Sequence, residues 1–297
     1  SIVQLSGCAT INIGPSYNKA ISEQVLEQGK SENKVLIISV DGILNAQPKS
    51  GLFSEGPSVL DALVMQLKKA EKDPKIVAVL LKINSPGGGV TVSQIMHHEL
   101  QQFKQSTGKK IFVQMMSVAA SGGVYIAMAA DHIQAHPSTI TGSVGVISMS
   151  ADISGTMHKI GATVNVYKTG DNKDMGSPFK AASDSDQKVF QSMVTEMAND
   201  FYTLVQARTG LDKETMNLIK TARVFTGTKA KQIGLIDSTG YLSDATQKAC
   251  ELGQAKDCKV VSYRFNKNQN ANAYSPSMQL NQTPPNFNLI DLPMSES

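Results

Sequence analysis

The sequence predicts an α/β fold, on three observations. Near-continuous apolar, β-branched runs recur along the first half of the chain, amphipathic segments with helical spacing separate them, and glycine or proline clusters stop them. Strands that alternate with helices, and are apolar at nearly every position, indicate a sheet covered on both faces. At 297 residues, 41% of them apolar, the chain can bury a sizeable core.

Residues 1–33 read as a polar N-terminal linker, with weak helical periodicity that ends at "GKSENK". A single domain then spans residues 34–265. It opens with the strand "KVLIISVDG" (34–42), which closes on a turn signal. In "SVLDALVMQLKKAEKD", Val59, Leu60, Leu63, Leu67 and Ala70 repeat at i, i+3, i+4 spacing, the pattern of an amphipathic helix. "KIVAVLLKIN" gives a second buried strand, stopped by "SPGGG", and a helix follows over 92–105. The strand "KIFVQMM" leads to a helix over 122–130 and a short strand "HIQAHP". "GSVGVIS" and "ATVNVYK" read as further strands, with "ISGTMHKIG" a helix between them. A helical C-terminal part follows over 186–220, and a helix (243–252) and a strand (259–265) complete the domain. Residues 266–297, rich in Asn, Gln, Pro and Ser, read as a disordered tail. No uninterrupted apolar run reaches the ~18 residues a membrane-spanning helix needs.

Composition narrows the partners. With 28 basic and 25 acidic residues, scattered rather than striped, there is no nucleic-acid footprint. The three cysteines lack partners at ligand spacing, so no metal site or cofactor is expected. Cys8 closes "QLSGC", which looks like a bacterial lipobox and marks Cys8 as a possible lipidation site. In an exported chain Cys250 and Cys258 could close a short loop as a disulfide; two reduced, buried thiols are the alternative.

The stretch "FVQMMSVAASGGVYIAMAAD" carries the chemistry. Ser121 falls at a strand-to-helix junction and is followed by Gly122 and Gly123. Glycines there allow close backbone approach, and the first free amides of a helix point at whatever lies before the serine. Such amides stabilise an oxyanion forming on an attacked carbonyl. The plain alternative is that Ser121 caps the helix. "NSPGGGV" (84–90) ends a strand that should run parallel to the one before Ser121. Both loops would then open at the carboxyl edge of the sheet, where ligands bind in such folds, and the loop could present a second N–H donor.

A serine nucleophile also needs a base. None of the five histidines, His97, His98, His132, His136 and His158, lies in a loop that suggests a triad, and His97 and His98 fall on a helix where exposure is expected. A Ser/Lys dyad is the other established solution. "YKTGDNKDMGSPF" offers Lys168 and Lys173 on either side of Gly170. For a lysine to accept a proton near neutral pH its pKa must fall by about three, roughly 4 kcal/mol, which burial can supply.

Four motifs in order, "INSPGGG", "SVAASGGVYIAMAAD", "TGSVGVI" and "YKTGDNKDMGSPF", resemble the signal peptide peptidase A family, bacterial Ser/Lys peptidases with a Clp/crotonase-like spiral of repeated β-β-α units. The resemblance spans roughly Lys34 to Asp237 and fits a short, single-repeat form. It implies Ser121 as nucleophile, Lys173 as general base, Ser143 as the group that orients the lysine, and the backbone N–H groups of Gly88 and Gly122 as oxyanion donors. It further implies apolar peptide substrates such as cleaved signal peptides, a homo-oligomeric ring with the dyad either within one protomer or shared, and a membrane surface reached through the N-terminus. The implied location is the extracytoplasmic face of the bacterial inner membrane. The "LSGC" start departs from the family, where an uncleaved membrane anchor is usual.

Two rival readings keep the fold. A crotonase-like acyl-CoA hydratase or isomerase would need carboxylates at the cleft, and a non-catalytic scaffold would only bind apolar peptides. The tail motif "ANAYS" (271–275) has an A-x-A pattern, which suggests a segment that the enzyme trims or takes into its own cleft; a solvated tail is the alternative.

Overall fold

A computed structural model describes residues 21–51, 54–265 and 272–275. In chain order the elements are β1 Ser22–Glu27, β2 Lys34–Asp41, β3 Lys49–Gly51, β4 Ser54–Gly56, α1 Val59–Glu71, β5 Ile76–Ser85, α2 Val90–Thr107, β6 Lys110–Ala120 and α3 Gly122–Ala127. There follow β7 His132–Ala135, β8 Ile140–Gly142, α4 Ser154–Lys159, α5 Asp184–Thr209, α6 Lys213–Ile219, β9 Val224–Thr226, α7 Gly227–Gln232, β10 Ser238–Thr239, α8 Leu242–Leu252 and β11 Lys259–Arg264.

The apolar runs pair as their composition requires. The main path of the sheet has the order β1-β11-β2-β5-β6-β7-β10, parallel along this path except for β1, which runs antiparallel to β11. Because side chains alternate across a strand, Val79, Leu81 and Ile83 face one side of β5 and Ala78, Leu80 and Lys82 the other. The first face packs under α1, α2, α3 and α5, and the second under α8. Helix starts follow local chemistry: Ser58 Oγ accepts from the Asp61 amide to open α1, and Ser183 with Asp186 forms a capping box at α5. The α/β expectation is met.

The long strand β6 is shared. Residues Phe112–Met115 pair with β7, whereas Val118–Ala120 pair with β8, which in turn pairs antiparallel with β9. This fork lets the end of β6 leave the main sheet and carry Ser121 to its edge.

Several sequence expectations are corrected. Residues 22–27, read as linker, form β1: alternating residues lean on β11 although only Val25 and Leu26 are apolar. "GSVGVIS" is a strand only at Gly142, the end of β8, and "ATVNVYK" is not a strand at all. Its alternating Val164 and Val166, and the adjacent Tyr167, find no neighbouring strand among the described residues and stand 43%, 51% and 95% exposed. Together residues 147–180 form a largely exposed arm between β8 and α5. His97 is mostly buried against Tyr125 rather than exposed, while His98 is exposed as expected. Within the tail read as disordered, Asn272–Ser275 packs on the body; Cys8 and the remaining tail lie outside the described residues. Cys250 and Cys258 are joined by a disulfide that fastens the end of α8 to the start of β11. Among the described residues, no helix is long and apolar enough to cross a membrane, and no group of three or more His, Cys, Asp or Glu could hold a metal.

Candidate active site

Ser121 stands at the N-cap position of α3, and its backbone is strained, with φ 51° and ψ −119°. A non-glycine residue at positive φ persists only where its surroundings over-determine it. Here its N–H donates to Gly142 O at 2.8 Å, and its C=O accepts from Val124 and Tyr125 at 2.9 and 3.0 Å. The hydroxyl makes no capping hydrogen bond. The capping alternative is thereby excluded: the turn is held by main-chain bonds, and the Oγ is left available.

The glycine loop meets that turn from the adjacent strand. Leu44 N–H donates to Gly87 O at 2.9 Å and Leu44 O accepts from Gly89 N–H at 2.9 Å, so a parallel bridge clamps the loop on both sides of Gly88. The Gly88 N–H lies between these bonds and has no partner among the described residues. Gly87 has φ 105°, and a Cβ there would sit 2.8 Å from Gly122 N and 2.9 Å from Ser121 Cβ, so only glycine lets the loop press against the serine turn. A Cβ on Gly122 would lie 3.3 Å from Gly88 N, which places the two backbone amides side by side.

Gly88, Ser121 and Gly122 line one shallow cleft of about 270 Å³, counting its open mouth. Its walls are Val90 and Ser93 of α2, Tyr125 of α3, Gly145 and Val146 after β8, and Met197 and Phe201 of α5. No carboxylate, histidine or lysine is among these lining residues. The acyl-CoA hydratase reading, which needs cleft carboxylates, loses its support. Ser93 Oγ donates to Gly89 O at 3.0 Å and is 2% exposed, so it braces the glycine loop against α2.

Two residues expected at the site lie outside this cleft. Ser143 follows Gly142, the acceptor for Ser121 N–H, adopts φ 51°, and donates its own N–H to Arg223 O at 2.8 Å. Lys173 is exposed on the arm, with its N–H on Gly170 O at 3.1 Å and no side-chain hydrogen bond or ion pair among the described residues. Its neighbours are tied down instead: Asp174 pairs with Lys168 at 2.9 Å and Lys180 at 2.7 Å, and Lys180 reaches Asp186 at 3.0 Å at the start of α5. The two lysine partners hold the Asp174 carboxyl at about 2.

The lining residues Ser93, Met197 and Phe201 are absent from a reading of motifs. Ser93 carried a weak signal, a serine one helical turn after Gly89; the α5 residues carried none, because only long-range packing brings them to the cleft.

Comparison with known proteins gives the family. The profile of Peptidase family S49 matches residues 103–256, which include Ser121, Ser143 and Lys173. A protein of Enterococcus faecium named as a signal peptide peptidase SppA is 34% identical over 244 residues, 82% of this chain and 71% of that one. Protease 4 of Salmonella typhi is 35% identical over 69% of this chain, which spans only 33% of that protein. The chloroplastic serine protease SPPA of Arabidopsis thaliana is 28% identical over 72% of this chain and 31% of its own. The chain belongs to peptidase family S49 and is a serine peptidase.

Proposed function

We propose that the protein cleaves apolar peptides, cleaved signal peptides foremost, with a Ser/Lys dyad assembled between copies of the chain. One observation carries the reading: among the described residues, Ser121 has two unpaired amides beside it, no carboxylate, histidine or lysine lines its cleft, and Lys173 stands without a side-chain partner on an exposed arm. The arm also bears Ile147, Met149 and Ile160 at 76%, 84% and 74% exposure, which supports burial against a neighbouring copy in a homo-oligomeric ring.

In this mechanism neutral Lys173 of one copy removes the proton of Ser121 of the next, with Ser143 orienting the amine. The Ser121 oxygen attacks the scissile carbonyl, and the amides of Gly88 and Gly122 receive the oxyanion. The protonated amine then passes its proton to the departing peptide nitrogen, leaving an acyl-enzyme that water releases by the reverse route. The apolar walls Val90, Val146, Met197 and Phe201 suit small-to-medium apolar side chains, and the name of the Enterococcus faecium relative matches that substrate class.

The forked β6 supports the finer reading of the fold as a Clp/crotonase-type spiral. The Cys250–Cys258 bridge supports an oxidising compartment, the extracytoplasmic side of the bacterial cell envelope, with tethering to the membrane surface through the N-terminus and lipidation at Cys8.

Fluorophosphonate labelling of Ser121 and cleavage of a fluorogenic apolar peptide test the dyad. Ser121→Ala and Lys173→Ala are each expected to be inactive, and mixing them through a dissociation–reassociation step is expected to recover activity. Full activity of Lys173→Ala alone would end the dyad; inactive singles with no recovery on mixing would place both groups within one copy.

A further inference from the structure

Lys82 is a buried cation that the peptidase mechanism does not use. It sits on β5, 2% exposed, on the face opposite the Ser121 cleft. Its Nζ donates to Ala273 O and to Ser275 O, both at 2.9 Å, and among the described residues these are its only hydrogen-bond acceptors. The charged groups facing it are Asp41, which favours the ammonium, and Arg264, which opposes it; burial is the larger effect and holds Lys82 down to about 8.

The four residues it grips form a closed turn. Ser275 N–H donates to Asn272 O at 3.0 Å, Asn272 N–H to Ser275 Oγ at 3.1 Å, and Tyr274 N–H to Asn272 Oδ1 at 2.9 Å. Ala273 is 8% exposed and joins the apolar cluster that contains Leu80, Phe112 and Leu242, whereas Tyr274 points outward at 57% exposure. The described part of the "ANAYS" motif, Asn272–Ser275, therefore does not lie in the Ser121 cleft; it docks on the far side of the sheet.

We propose that Lys82 and the apolar cradle around Ala273 form a second, non-catalytic peptide-binding site, which recognises a turn with a small side chain between two carbonyls and is filled in cis by the C-terminal segment. Recognition by a cation and main-chain carbonyls makes it selective for a backbone shape. The close fit at Ala273 restricts that position to small residues, since added bulk in a packed core forces strain. This site stands independently of the dyad.

The test uses the full-length chain, with amine acylation at Lys82 read by mass spectrometry and hydrogen exchange read at residues 272–275. In the wild type, Lys82 is expected to label at least about tenfold more slowly than exposed Lys213, and the amides of Tyr274 and Ser275 to exchange slowly. Ala273→Trp, which keeps the tail from entering the cradle and leaves the cradle and Lys82 in place, should raise Lys82 labelling about tenfold and abolish the protection. Adding the capped tetrapeptide Asn-Ala-Tyr-Ser to that variant at millimolar concentration should restore slow labelling. Lys82→Met should release the tail amides while fluorophosphonate labelling of Ser121 stays unchanged. Unaltered Lys82 reactivity in Ala273→Trp, retained tail protection in Lys82→Met, or no effect of the added peptide would each overturn the proposal.

Discussion

Substitution of Gly122 by alanine isolates the proposed oxyanion donors. The backbone accepts the change, because Gly122 opens α3 and alanine is favoured over glycine in a helix by up to ~1 kcal/mol. The new methyl is the problem: it would meet Ser93 Oγ at 2.4 Å, Leu44 Cδ1 at 3.1 Å and Gly88 N at 3.3 Å. Ser93 must give way, losing its 3.0 Å bond to Gly89 O, and the methyl then crowds the space in front of the Gly88 amide. Loss of one oxyanion donor lowers kcat by roughly 10²- to 10³-fold, about 3 to 4 kcal/mol. The assay is steady-state hydrolysis of a fluorogenic apolar peptide, with melting temperature as the control for folding. Because the oxyanion exists only after attack, kcat and kcat/KM should fall together while KM stays nearly constant. Ser93→Ala removes the clashing oxygen, so the double variant should recover part of the loss, with a coupling of about 1 kcal/mol or more. A kcat within about threefold of wild type for Gly122→Ala, at unchanged stability, would refute the assignment of these amides.

The disulfide closes a short loop across a sequence separation of 8, so loop-closure entropy gives Cys250→Ser a loss of about 2.5 kcal/mol. In a domain of this size that lowers the melting temperature by roughly 5–10 °C, and a reducing agent should reproduce the shift in wild type without adding to it in the variant. His97 is held at about 4, chiefly by burial and then by the nearby His98 and Lys104 charges. Its folded value lies below the unfolded one, so protonation favours unfolding, and stability should drop by up to about 3 kcal/mol as pH falls from about 6.5 through 4. His97→Phe, which keeps the packing on Tyr125, should flatten that part of the pH–stability curve. Asp174→Asn cuts the ion pairs that cross-link Lys168 and Lys180 within the arm and should lower peptidase activity several-fold and speed proteolysis within residues 147–180, at nearly constant melting temperature. In wild type the carboxylate's contribution is present above about 3.8 and is lost as pH falls towards about 2.

The core of this architecture was legible because its strands carry their instruction locally: "KVLIISVDG" and "KIVAVLLKIN" are apolar on both faces and can only be central strands. The serine and glycine loops were legible for a related reason, since glycine runs directly after strands mark close backbone approach. "ATVNVYK" misled because period-two alternation reports strand propensity and not the presence of a partner. Residues 22–27 hid as linker because an edge strand on one side of a sheet needs little apolar surface. Met197, Phe201 and the docking of Ala273 depend on contacts between distant parts of the chain, and no local pattern encodes those. The Lys82 clamp left no trace in composition either, because its acceptors are main-chain oxygens.

The exposed arm has a topological consequence. It begins just after β8, whose pairs with β6 and β9 stitch the segments before and after the arm into the same sheet. A single backbone cut between residues 150 and 165 would therefore leave two fragments that still co-purify as one body, with the serine on one piece and Lys173 on the other. Such a nicked enzyme would behave as a two-chain protein whose halves can be expressed, swapped and recombined.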